Sequence, residues 1–128
     1  MKKFAIIFVL FLCSITFAQA QQQKIIAVAA VDRTGNSQIS QIAAHAPYYL
    51  IFDKNGQLLE VVYNPFRDAA RRAGPKVAAL LAEKNVTVMV AGDFGHKLKL
   101  ALDEKGINHL ATTGVVQKAI RELLNKNN

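Results

Sequence analysis

Two kinds of apolar pattern alternate along the chain. Short runs rich in Val and Ile are typical of buried strands, and apolar residues spaced three and four apart are typical of helices. Residues 24–31 and 86–91 are runs of the first kind. Residues 47–52 and 57–63 are also strand-like and flank an Asn-Gly pair at positions 55 and 56. That pair predicts a β-hairpin.

Three segments in the second half have helical spacing. The first follows Gly74-Pro75, because Pro is favoured at the first position of a helix. The second is predicted from Phe94 to Lys105, with Asp93 as its N-cap and Gly106 after its last turn. The third opens after Thr113-Gly114, and a short strand at residues 107–111 precedes it. Residues 38–46 carry few signals and are predicted to be a loop with one helical turn.

The order strand–helix–strand–helix at the end of the chain predicts a parallel unit with a right-handed crossover. The helices that start near Asp93 and Thr112 should then begin at the same edge of the sheet, where open α/β sheets bind ligands. The loop at residues 32–37 is expected to end there too. Unpaired N–H groups and the helix dipole hold anions at such a place. The chain is therefore predicted to be one α/β domain with a mixed sheet and an anion site at this edge.

The first twenty residues have the pattern of a secretory signal peptide. Lys2 and Lys3 precede an almost wholly apolar run at residues 4–17, and Ala18-Gln19-Ala20 is a small-x-small cleavage site. A membrane anchor is the rival interpretation, but the run is shorter than the roughly 20 residues that a spanning helix needs. We expect residues 1–20 to be cleaved, residues 21–128 to form the domain in the periplasm, and no stable membrane anchor to remain.

Cleavage changes both the cysteine count and the charge. Cys13 is the only cysteine and lies in the signal, so the mature domain would have no disulfide and no thiolate ligand. The formal charge of +7 includes Lys2 and Lys3, whose loss leaves about +5. Such a charge suits an anionic partner, and it also suits plain solubility.

The sequence has few of the motifs that indicate catalysis or nucleic-acid binding. The chain has no Gly-x-Ser-x-Gly elbow, no phosphate loop and almost no acids in its strands. His45, His96 and His109 lack the spacing of a zinc site. The basic cluster at residues 67–76 has no interleaved aromatic platform, so we expect no nucleic-acid partner.

Several short motifs follow one another in a characteristic order and spacing across residues 24–124: Ala46–Asp53, Leu80–Val86, Ala91–Gly95 with Lys97, Ala101-Leu102 to Gly106-Ile107, and Thr113-Gly114 with Val116. Together they resemble the dinitrogenase iron–molybdenum cofactor-binding domain family. The resemblance implies a ribonuclease-H-like, three-layer α/β fold. It also implies nitrogenase-accessory-like binding of an anionic metal–sulfur cluster, with Mo and Fe or, in an exported branch, Mo and Cu.

One departure from the family pattern concerns its proposed ligand. The family typically has a His-Phe-Gly-Arg-Ala-Pro run before the first hairpin strand, where this chain has Ile42-Ala43-Ala44-His45-Ala46-Pro47. Ile42 stands at the histidine position and His45 at the arginine position. Either His45 takes over the contact, or the ligand is lost.

We therefore predict a non-catalytic periplasmic binding or carrier domain for an anionic metal–sulfur cluster or metallate. His45 and His96 are the candidate metal ligands. The predicted site comprises Arg33, His45, Gly92, Asp93, Phe94, Gly95, His96, Lys97, Thr113 and Gly114. The alternative is a cofactor-free interaction module of the same fold that acts on a protein partner in the envelope. An enzyme for a small anionic substrate is a third interpretation, with the histidines as the groups that titrate near neutral pH.

Overall fold

A computed structural model describes residues 23–126, and the predicted signal peptide lies outside this range. The strands are β1 (Ile26–Ala30), β2 (Tyr48–Phe52), β3 (Leu58–Tyr63), β4 (Val88–Ala91) and β5 (Asn108–Ala111). The helices are α1 (Ala73–Glu83), α2 (His96–Glu104) and α3 (Val116–Asn125). Within residues 23–126, no helix has the length and apolarity to cross a membrane.

The five strands form one mixed sheet in the order β3-β2-β1-β4-β5. β2 is antiparallel to β1 and β3, whereas β4 is parallel to β1 and β5. The predicted hairpin and the predicted parallel unit are therefore both confirmed. The carboxyl ends of β1, β4 and β5 consequently lie at one edge of the sheet.

Helices cover both faces of this sheet. β1 is buried along its whole length, and its side chains alternate between two clusters. Ala27 and Ala29 pack in one cluster with side chains of α1 and α2. Val28 and Ala30 pack in the other with Val116 and Ile120 of α3. The three-layer α/β architecture is confirmed, with two helices on one face and one on the other.

Residues 38–46 form the predicted loop, with a turn at Ala44 and His45 and no helix. Ile39 bridges to Ala30, Gln38 bridges to Val115, and Ile42 bridges in parallel to Asp93. Residues 38–42 follow the carboxyl edge of the sheet because their backbone groups pair with it, which a local pattern cannot show.

The predicted cap of α2 is wrong, and the helix begins two residues later than predicted. The helix begins at His96 rather than Phe94, and Gly95 is its N-cap with φ 70°. Asp93 does not cap the helix, since its carboxylate accepts only a 3.3 Å hydrogen bond from the N–H of Gly95. The backbone of Asp93 pairs with Gln41 and Ala43 at 2.8 and 3.0 Å, and this pairing delays the helix.

Candidate anion-binding site

A cavity of about 710 Å³ opens between the N-termini of α1 and α2, at the carboxyl edge of the sheet. Its walls combine charged and apolar side chains from three parts of the chain. The residues that line it include Gln41, Ile42, Ala44, His45, Ala69, Ala70, Arg71, Arg72, Ala73, Gly74, Asp93, Phe94, Gly95, His96, Lys97 and Leu98.

Gly74 lets the two helices approach at their N-termini. A Cβ atom at this position would lie 3.0 Å from the backbone N of Leu98 and 3.1 Å from its Cα. Real side chains rarely come so close to backbone, so the contact favours glycine. The starts of two helices are thereby brought to one cavity.

The first backbone N–H groups of both helices lack acceptors within residues 23–126, and their residues line this cavity. In each helix the α-helical bonds begin later, with Lys76 donating to Arg72 and Lys99 donating to Gly95, both at 3.2 Å. Among the described residues, no acceptor bonds the backbone N–H groups earlier in these helices, those of Ala73, Gly74, His96, Lys97 and Leu98. Five donors and two helix dipoles therefore favour an anion here.

Three side-chain cations add to this positive potential. Arg71, Arg72 and Lys97 line the cavity and are exposed. The ion pairs within residues 23–126 join Lys84 to Glu60 and His109 to Asp103. Neither of these two ion pairs includes one of the three cations that line the cavity. Arg72 has a left-handed backbone with φ 60°, a conformation that costs free energy for a residue with a Cβ.

His45 has one ring nitrogen fixed by the backbone. Its Nδ1 lies 2.9 Å from the carbonyl oxygen of Arg67. Because a carbonyl only accepts, Nδ1 must carry the proton, which leaves Nε2 as the nitrogen with a lone pair in the neutral ring. Histidines that bind metals commonly have this arrangement.

The other two histidines differ in their placement. His96 is the first residue of α2 and lines the cavity. His109 does not line it: its Nε2 lies 3.3 Å from the Asp103 carboxylate, and its ring packs against Phe94 at 5.3 Å between centroids. The ring of His109 thus supports Phe94, which is part of the cavity wall.

The cavity does not supply a complete set of metal ligands. Within the described part of the chain, no three His, Cys, Asp or Glu residues cluster closely enough to hold a metal ion. Bare metal ions need three or four protein ligands in most stable sites. The donor set fits an anionic group that brings its own ligands and accepts one or two imidazoles.

Four residues of the predicted site lie outside the lining of this cavity. α3, which follows Thr113 and Gly114, packs on the opposite face of the sheet. Arg33 lies over the ring of Tyr48, 5.6 Å from its centroid. A Cβ at Gly92 would lie 2.8 Å from the Cα of Gln41, so Gly92 permits the close approach of the segment beside it.

The N-terminus of α3 is already occupied by the chain. The N–H groups of Val116 and Gln117 donate to the carbonyls of Ser37 and Gly35, both at 2.9 Å. The helix starts after β4 and β5, which were expected to form one anion site, therefore do not share this cavity. The partner of α2 is α1, and the Gly74-Pro75 pair was the signal in the sequence for its start.

The profile of the dinitrogenase iron–molybdenum cofactor family matches residues 24–126. The chain belongs to this family. No curated protein sequence matches it.

Three solved structures show the same fold. The apo form of the orange protein from Desulfovibrio gigas is 25% identical, with a TM-score of 0.75, and the match covers 85% of this chain and 92% of that one. A Thermotoga protein provisionally described as NifB, of the DUF35 family, is 31% identical with a TM-score of 0.69 over 80% and 88%. A Methanocaldococcus jannaschii protein provisionally described as a dinitrogenase is 15% identical with a TM-score of 0.56 over 83% and 92%.

These comparisons confirm the family and the fold that the sequence motifs implied. They associate the chain with a family described by the iron–molybdenum cofactor.

Proposed function

We propose that this protein is a periplasmic, non-catalytic carrier of an anionic metal–sulfur cluster or metallate. One observation carries the proposal: the unpartnered N-termini of α1 and α2 meet at a cavity lined by Arg71, Arg72 and Lys97. Family membership supports the chemical class of the cargo. The basic leader, apolar run and cleavage pattern at residues 2–20 support the location.

The cavity suits the charge and the size of such a cargo. Backbone N–H groups and guanidinium groups donate strong hydrogen bonds to anions, and helix N-termini stabilise negative charge. The apolar walls at Ile42, Ala44 and Ala69 suit the weakly hydrated surface of a sulfide better than they suit a hydrated oxyanion.

His45 and His96 are the residues that we propose as metal ligands. Both line the cavity. Because Nδ1 of His45 donates to the carbonyl of Arg67, its Nε2 is the nitrogen that can bind a metal. The carboxylate of Asp93 accepts from the N–H of Gly95, and no histidine within residues 23–126 donates to it. This arrangement supports binding rather than proton transfer.

One observation favours the second candidate, a cofactor-free interaction module. Ile42 stands where the family resemblance places a histidine, and it is 58% exposed at the cavity. An exposed aliphatic side chain at this position suits contact with an apolar surface of an envelope protein.

The experiment titrates the anaerobic mature protein with tetrathiomolybdate and follows visible absorbance. We expect one equivalent to bind. The double variant His45→Ala/His96→Ala should weaken binding roughly 100-fold, because two contacts to a charged group are worth about 1.5 kcal/mol each.

His109→Ala is the matched control, because it removes a histidine outside the cavity, and it should bind within roughly twofold of the wild type. Unchanged affinity in the double variant would remove the histidines from the account. A wild type that binds no tetrathiomolybdate would favour the interaction module.

A further inference from the structure

We infer that Asn64 is a positioning residue that fixes both the backbone and the ring tautomer of His45. The consequence for cargo binding rests on the proposed function. The effect on the His45 ring does not, because it exists without a ligand.

Asn64 has a fully buried side chain, 0% exposed, just after β3. Buried amide groups cost free energy unless they are hydrogen-bonded. Its Nδ2 donates to the carbonyls of Ala44 and Ala46, each at 2.9 Å. These two residues flank His45, so one amide holds the backbone on both sides of the histidine.

The same residue also shapes the turn that carries the acceptor of the His45 ring. The Oδ1 of Asn64 accepts from the N–H of Phe66 at 2.9 Å, and its backbone carbonyl accepts from the N–H of Arg67 at 3.3 Å. The carbonyl of Arg67 in turn accepts from Nδ1 of His45 at 2.9 Å. Asn64 thereby sets the position of the histidine relative to its acceptor.

A buried tyrosine completes the network. The Tyr49 hydroxyl donates to the carbonyl of Ala43 at 2.6 Å and accepts from Nδ2 of Asn64 at 3.1 Å. Burial raises the pKa of Tyr49, which keeps this hydroxyl protonated. The amide has two hydrogens and three nearby acceptors, so both of its hydrogens have acceptors in the buried network.

The network has a specific chemical consequence at His45. With Nδ1–H bonded to a carbonyl, the lone pair of the neutral ring lies on Nε2. A neutral ring that lacks this acceptor also populates the tautomer with its proton on Nε2. In that tautomer the proton blocks metal coordination through Nε2. Metal-binding histidines that lose an outer hydrogen-bond partner typically lose roughly 10–100-fold in metal affinity.

The test uses Asn64→Asp, which keeps the shape and the Oδ1 acceptor but removes both N–H donors. The mature protein, labelled with ¹⁵N in histidine, is studied by long-range ¹H–¹⁵N NMR in mildly alkaline buffer. We expect the wild-type His45 to carry its proton on Nδ1 and the variant to populate the Nε2–H form. Tetrathiomolybdate affinity should fall roughly tenfold.

The matched control is Ile120→Ala, a buried variant on the α3 face that lowers stability without touching the network. It should leave the His45 tautomer and the affinity unchanged. If Asn64→Asp does not fold, Tyr49→Phe removes one contact of the amide and should give a smaller shift in the same direction.

A wild-type His45 protonated on Nε2, or an unchanged tautomer in both variants, overturns the inference. The expected tautomers without any tetrathiomolybdate binding would support the role of Asn64 and contradict the proposed function. Tetrathiomolybdate binding by a protein whose His45 carries its proton on Nε2 would support the proposed function and contradict the role of Asn64.

Discussion

The two faces of the sheet treat the same kind of helix end differently. α2 and α3 both begin at the carboxyl edge, directly after parallel strands. On the α3 face, carbonyls of Gly35 and Ser37 accept the first N–H groups at 2.9 Å. On the other face, the first N–H groups of α2 have no acceptor among the described residues, and α2 begins beside α1 at a cavity. A helix N-terminus becomes an anion site only where the chain leaves its donors unpartnered.

Reversing the charges on the two faces should produce the largest difference between them. We expect Arg71→Glu/Arg72→Glu to weaken tetrathiomolybdate binding at least roughly 100-fold, since two charge-assisted hydrogen bonds are lost at about 1.5 kcal/mol each. Lys118→Glu/Arg121→Glu makes the same change in net charge on exposed positions of α3. It should change the dissociation constant by less than about threefold in physiological salt. Equal losses from both pairs would show that net charge alone attracts the anion.

The glycines beside the two helix ends differ in the space around them. Gly74→Ala would place a Cβ 3.0 Å from the backbone of Leu98, and the overpacking should lower the free energy of unfolding by about 1–3 kcal/mol. Gly35→Ala meets only the side chain of Gln117, at 3.5 Å, and should stay within about 0.5 kcal/mol.

Urea denaturation measures both glycine effects, and tetrathiomolybdate titration should show weaker binding for Gly74→Ala alone. A fully stable Gly74→Ala that binds normally would contradict the close approach of α1 and α2.

The cavity side also contains a buried phenol whose ionisation is linked to stability. Burial raises the pKa of Tyr49, so above about pH 10 the unfolded chain loses this proton while the folded protein retains it. The unfolded state then binds fewer protons, and the free energy of unfolding should fall by about 1.4 kcal/mol per pH unit from this group.

Tyr49→Phe should remove that part of the slope, as measured by urea denaturation across alkaline pH. Tyr63→Phe, at a residue 58% exposed, is the control for the loss of a tyrosine hydroxyl at the surface. Identical slopes in all three proteins would mean that Tyr49 does not stay protonated.

Local patterns predicted the strands, the hairpin and the parallel unit, because these depend on periodicity and turn residues. They did not predict how residues 41–43 pair with Asp93 or how Gly74 packs on Leu98, since both contacts join distant parts of the chain. The right-handed crossover rule applies to α2, which lies between two parallel strands. No strand follows α3 within residues 23–126, so packing alone determined its face, and with it the placement of Thr113 and Gly114.

The candidate site divides along the same line. The contiguous stretch from Asp93 to Lys97 lines the cavity, as one local motif would. Arg71 and Arg72 were visible in the sequence as a basic cluster, but only the packing of α1 on α2 brings them to the site. Asn64 gave no local signal, because its role depends on carbonyls about twenty residues earlier.

The most direct test of the carrier role is the composition of the protein purified without air from its own cells. A visible spectrum and an elemental analysis for Mo, Fe, Cu, W and S would be recorded on the same sample. The account predicts a stoichiometric metal with sulfide and a charge-transfer band in the visible range. A colourless, metal-free protein that stays colourless after tetrathiomolybdate is added and removed would contradict it.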